Sequence, residues 1–184
     1  MFRKLIERVA LALEKLNIAY MLIGGQALLL YGEPRLTRDI DITLGAGPER
    51  LDVILNMAKD LRLDVLVDAP ETFVQKTFVL PCSEPRSGIR VDFIFSFSPY
   101  EQQAMQRART VQIGKALVRF AAVEDLIIHK TIAGRPRDLE DVRNVLIKNP
   151  AMDVGYIRRW LRQFEKATSE PLVERFDGIR KESR

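Results

Sequence analysis

The chain has 184 residues, 47% of them hydrophobic and 29% charged, with 29 Lys and Arg against 25 Asp and Glu for a formal charge of +4. That composition supports a real core, excludes disordered, collagen-like and low-complexity classes, and suits one domain with a helical appendage. No apolar run approaches the ~18 residues of a membrane span, and Arg3, Lys4, Glu7 and Arg8 stand where a signal peptide would be apolar, so a cytoplasmic protein with no membrane partner is expected.

Leu5, Ile6, Val9, Leu13 and Leu16 recur at helical spacing, which predicts an amphipathic helix ending near Asn17. A short strand, 20–23, follows, then a Gly24-Gly25 turn and a short helix from Gln26 to Tyr31 stopped at Gly32. Ile40, Ile42 and Leu44 alternate with Asp39, Asp41 and Thr43, the pattern of a half-buried strand with its polar residues on one face. Gly45, Gly47 and Pro48 close it and open a helix over 49–61. Residues 63–67 and 72–80 read as strands, 81–88 as a loop and 89–97 as a β-branched, aromatic strand that contains Asp92. A short helix from Pro99 to Arg107 leads to strands 109–113 and 116–121, separated by Gly114. The remainder is helical: 123–133 stopped by Gly134, a helix opening after Pro136, and one carrying Tyr156, Ile157, Trp160, Leu161 and Phe164. The expected fold is α+β, a small mixed sheet with flanking helices and a C-terminal helical subdomain from about 122.

Chemistry concentrates in Asp39-Ile40-Asp41. Carboxylates at i and i+2 on a strand share a face, and such a pair is costly to bury unless a cation neutralises it. Hard oxygen donors select Mg²⁺ or Mn²⁺, whose shell is normally completed by substrate phosphates. Gly24 and Gly25, at a strand-to-helix turn, leave backbone N–H groups free for an anion. Asp92, the lone acid in Arg90-Val91-Asp92-Phe93-Ile94-Phe95, is the candidate third carboxylate; its alternative is a solvated edge residue.

Gly24-Gly25-Gln26-Ala27 through Tyr31-Gly32, followed by Arg35-Leu36-Thr37-Arg38-Asp39-Ile40-Asp41, resembles the signature of the DNA polymerase β-like nucleotidyltransferase superfamily, closest to its minimal and AbiEii-like toxin branch. The resemblance extends through Asp92 to Val123-Glu124-Asp125-Leu126, Lys130, Arg135, Arg137-Asp138 and Asp141. It implies a nucleotidyltransferase core over 1–121 with the helical subdomain 122–184 packed on it. It also implies transfer of NMP from a Mg²⁺-bound NTP to an acceptor hydroxyl on RNA, tRNA or protein, with release of pyrophosphate. For this branch it implies a toxin paired with an antitoxin protein. In that scheme Asp39, Asp41 and Asp92 hold the metal, Asp92 helps deprotonate the nucleophile, and Gly24, Gly25 and Lys130 meet the nucleotide. Arg35 and Thr37 either contact phosphate or fix their loop by hydrogen bonding, and Lys130 is otherwise a solvated helix charge. The alternative function is a catalytically inactive nucleotide- or partner-binding module on the same fold.

Plainer roles are expected elsewhere. Asp138 and Asp141 open a helix, where the dipole favours acids, and Asp138 is placed to orient Lys130 or Arg135. His129 reads as a surface or packing residue, Cys82 as an inert loop thiol, and Tyr156, Trp160 and Phe164 as core. The lone cysteine offers neither an internal disulfide nor by itself a zinc site, in keeping with a reducing compartment. Arg107, Arg109, Lys115 and Arg119, and later Arg158, Arg159 and Arg162, either line an acceptor groove or form a solvated face.

Overall fold

The computed structural model describes residues 2–32, 37, 39–96 and 98–183. In chain order the elements are α1 (Phe2–Lys15), β1 (Tyr20–Leu22), α2 (Gly24–Tyr31), β2 (Asp39–Gly45), a 3₁₀ turn (Pro48–Arg50), α3 (Leu51–Asp60), β3 (Asp64–Val65), α4 (Pro70–Thr77), β4 (Val79–Glu84), β5 (Ile89–Ser96), α5 (Pro99–Arg107), β6 (Arg109–Ile113), β7 (Ala116–Phe120), α6 (Val123–Ala133), α7 (Pro136–Lys148), α8 (Val154–Thr168) and α9 (Leu172–Glu182). The strands form one seven-stranded mixed sheet in the order β3-β4-β5-β2-β1-β7-β6. β2 runs parallel to β5 and β1 parallel to β7, while the other neighbours are antiparallel. Sheet plus flanking helices is the α+β fold expected.

Period-two alternation divides the two central strands by face. Ile40, Ile42 and Leu44 of β2 and Val91, Phe93 and Phe95 of β5 are buried, whereas Asp39, Asp41, Arg90, Asp92 and Ile94 point the other way and keep some exposure. On that second face α2 lies against β2, α6 against α2, and α7 and α8 against α6. The face bearing the carboxylates is therefore roofed by helices that come mostly from the end of the chain.

Several expectations are corrected. Residues 72–80 carry strand-forming Thr, Phe and Val, yet 70–77 are helical: Pro70 presets the first turn, Glu71 complements its dipole, and Val74 anchors the helix in the core. The 81–88 segment is not a loop throughout, because β4 continues to Glu84 and pairs with β5, leaving a tight turn with Gly88 at φ +66°. Cys82 is thus a fully buried strand residue whose thiol burial pushes up to about 12, and it stays an inert thiol. Lastly, 63–67 shrinks to a two-residue strand, and a further helix, α9, follows the three foreseen after 122.

The aromatic stripe of α8 packs inward. Trp160 and Phe164 meet the Tyr100 ring edge-on at centroid separations of 5.0 and 5.1 Å, and the Tyr156 hydroxyl donates to Asp125 Oδ1 at 2.8 Å. Asp125 has no exposed surface, and Arg107 Nε lies 3.7 Å from its other oxygen. Burial raises its carboxyl from 3.8 to about 6, against the lowering pull of Tyr156 and Arg107. A carboxyl that binds its proton more tightly when folded adds stability that is full below its unfolded value and is lost as pH rises through the folded one. From a value of about 6 against 3.8, this loss is on the order of 2–3 kcal/mol between about pH 4 and pH 7. Asp125→Asn, neutral throughout, should lack that part of the decline; urea unfolding of both proteins across this range checks it.

Candidate active site

Parallel pairing of β2 with β5 sets Asp41 directly opposite Asp92 and Asp39 opposite Arg90. Asp92 therefore belongs to an interior strand, and the solvated-edge alternative fails. Both acids open into a cleft of about 610 Å³ whose lining also includes Gly24, Gly25, Thr37, Asp39, Lys130 and the arginines 90, 135 and 137. Seven of the eight residues singled out from the sequence line this one cleft; Arg35 lies outside the described residues.

The two glycines are in the first turn of α2 rather than in a turn before it. Gly24 has φ +60°, and a Cβ there would collide with the Asp41 carboxylate; a Cβ on Gly25 would come within 2.7 Å of Thr37 Oγ1. Each glycine is thus the condition for a polar side chain to lie against the start of α2. Thr37 Oγ1 also exchanges long hydrogen bonds, 3.4 Å each, with the backbone N–H and carbonyl of Asp39. That geometry fits the loop-fixing alternative.

Like charges converge on the floor. Burial, then the neighbouring Asp92 and Asp39, raise the Asp41 carboxyl to about 6, with Arg90 and Lys130 pulling it down. Arg90 Nε donates to both oxygens of Asp92, at 2.8 and 3.1 Å, and these bonds raise the Arg90 pKa in turn. Among the described residues, no three acidic, His or Cys side chains stand gathered tightly enough to hold an ion. The donor set nevertheless suits a hard divalent cation: oxygens only, on neighbouring strands, with Asp92 turned to a guanidinium that neutralises it. Arg90 belongs to none of the sequence motifs, although it lies two residues from Asp92 on the same strand face.

The far wall is α6, which presents Leu126, His129, Lys130 and Ala133. His129 is half-buried, its ring edge-on to Tyr100 at 5.6 Å, its Nδ1 enclosed without a hydrogen-bond partner, and desolvation lowers it to about 4, so it stays neutral near pH 7. Lys130 is no solvated helix charge: it is 5% exposed, with Nζ 3.0 Å from Asp138 and 2.6 Å from Asp141. Asp138 also accepts from Arg135 Nε at 2.5 Å. Burial alone would raise the Asp138 carboxyl, but the bonds from Arg135 and Lys130 outweigh it and hold it below its usual range. The two acids that open α7 thus do more than complement its dipole: they tie it to α6 through Lys130. Of the other basic residues, Arg107 is 2.7 Å from Glu124 and stacks 4.0 Å over Tyr156, and Arg158 is 2.7 Å from Asp177, so both are internal ties rather than groove cations.

A mixed sheet whose central strands aim acids at a glycine-opened helix is the fold of a nucleotidyltransferase. The family model for nucleotidyltransferases of unknown function (DUF6036) matches residues 2–175, and the chain belongs to that family. Among solved structures it resembles the antibiotic-resistance factor ANT(2'')-Ia at 17% identity, covering 91% of this chain and 94% of that one with a TM-score of 0.61. It also resembles an antigenic nucleotidyltransferase-like protein from Paracoccidioides brasiliensis (16% identity, 95% and 91% covered, TM-score 0.56). The lincosamide antibiotic adenylyltransferase LnuA is similar as well (14% identity, 77% and 94% covered, TM-score 0.55). At these identities the likeness is one of fold. No curated protein sequence matches, and no helix among the described residues is long and apolar enough to cross a membrane.

Lys130→Met would take from buried Asp138 and Asp141 the cation they share. Loss of one partner from a buried ion pair costs ~3–5 kcal/mol. The same lysine change made together with Asp138→Asn and Asp141→Asn should recover much of that loss, and urea unfolding midpoints measure both.

Proposed function

We propose that the protein transfers a nucleoside monophosphate from an NTP to an acceptor hydroxyl, with Asp39, Asp41 and Asp92 as the catalytic carboxylates. The observation that carries this is the register of Asp41 opposite Asp92 in a cleft opened by Gly24. In the reaction the acceptor oxygen bonds to the α-phosphorus, the bridging α–β P–O bond breaks, and pyrophosphate leaves. Mg²⁺ or Mn²⁺ held by the three acids would offset phosphate charge and favour the ionised acceptor. Asp92 takes the acceptor proton, for which it must first be released from Arg90. Asp41 and Asp39 anchor the floor, Gly24 and Gly25 leave room for phosphate against the start of α2, and Thr37 fixes the loop beside them. The division into a core, 1–121, and a helical subdomain, 122–184, is part of the same reading, supported by the wall that Leu126, His129 and Lys130 lend to the cleft.

The acceptor is a separate question. The resemblance to AbiEii-like toxins favours tRNA and a neutralising antitoxin, whereas ANT(2'')-Ia has been crystallised with adenylyl-2''-tobramycin. Purified protein with Mg²⁺, each of the four α-labelled NTPs, and total tRNA, an aminoglycoside or a lincosamide as acceptor should give labelled product in one arm. Asp41→Asn should lower that rate at least ~100-fold, since even residues that only orient a metal ligand are worth ~10–100-fold. Undiminished transfer by Asp41→Asn would refute the assigned carboxylates. NTP binding without pyrophosphate release in any arm would favour the inactive binding module.

A further inference from the structure

Resting on the nucleotidyl-transfer reading of the cleft, we propose that Arg137, not Lys130, is the cation that grips the β- and γ-phosphates of the bound NTP. Among the described residues four basic side chains line the cleft: Arg90, Lys130, Arg135 and Arg137. Three are committed. Arg90 holds both oxygens of Asp92, Lys130 is buried between Asp138 and Asp141, and Arg135 bonds Asp138. Arg137 is exposed and, among the described residues, has no acidic partner, although it stands at the same mouth.

The chemistry favours that cation over the lysine. To reach a phosphate, Lys130 would have to abandon two buried carboxylates that its Nζ bridges at 3.0 and 2.6 Å, in a site nearly closed to water. Arg137 gives up only solvent, and its planar fork matches two phosphate oxygens at once. The need for such a group is set by the floor, where three carboxylates face a polyanionic substrate; a cation already neutralised by a neighbouring acid contributes little to offsetting that repulsion. Lys130 thereby becomes a positioning residue: it ties α7 to α6, and Arg137 is the second residue of α7.

Titration calorimetry with the wild-type protein and each of ATP, CTP, GTP and UTP, in the presence of Mg²⁺, identifies the tightest NTP, which is then compared with its own monophosphate. Arg137→Ala should weaken the NTP ~10–100-fold, the effect of one or two charge-assisted hydrogen bonds, while leaving monophosphate affinity and the thermal midpoint unchanged. Arg137→Lys should recover part of the loss. Arg86→Ala, which removes the same charge from the turn between β4 and β5, should leave NTP affinity within about twofold. An NTP-to-monophosphate ratio in Arg137→Ala equal to that of the wild type overturns the assignment of Arg137 alone. An equal loss in Arg86→Ala also overturns it, by making the effect one of net charge. If the wild type binds none of the four NTPs, the reading of the cleft fails and the role of Arg137 fails with it.

Discussion

Parallel pairing of β2 with β5 is the constraint from which the rest of the site follows. It places Asp41 and Asp92 side by side on neighbouring strands, with Asp39 one pleat away on the same face. Carboxylates so arranged repel one another in a half-buried setting, and burial together with that repulsion raises the Asp41 carboxyl. Everything near them answers it. Arg90 neutralises Asp92, Gly24 makes room for Asp41 by having no side chain, and the opposite face of both strands is wholly apolar, which pins the register that creates the problem.

A second tie fixes what faces the acids. Lys130, Asp138, Asp141 and Arg135 form a compact ionic cluster at the α6–α7 turn, where Gly134 adopts φ +63° to end one helix and Pro136 begins the next. Because its lysine is nearly excluded from water, the cluster cannot lose one member cheaply, and this holds α7 against α6. The mouth of the cleft is therefore an outcome of packing, with an acidic floor, a wall of Leu126, His129 and Ala133, and arginines at the rim.

Much of this was legible residue by residue. The alternation in 39–44 foretold both the strand and the shared face of its acids, and Gly-Gly before a short apolar run marked the start of a helix. Helix starts at Pro99 and Pro136 and the stop at Gly134 were read from local signals whose physics is local. Residues 72–80 misled because Thr, Phe and Val favour strands on average, while the helix Pro70–Thr77 is decided by its Pro-Glu start and by the burial of Val74, a tertiary fact. The solvated alternative for Lys130 failed for the same kind of reason: Asp138 was a foreseeable partner, but nothing local shows that Asp141, eleven residues on, closes over the same lysine.

By itself, the sequence determined the donors and their spacing: three acids, two glycines, and strands whose period puts like charges on one face, because side-chain alternation is a property of the strand alone. Only the tertiary structure decided which strand lies beside which, that Asp92 meets Asp41 from an interior position, that Arg90 attends it, and which cations at the α6–α7 turn are spent internally and which face the cleft. Those are relations between segments far apart in the chain, and they exist only once apolar burial has brought the segments together.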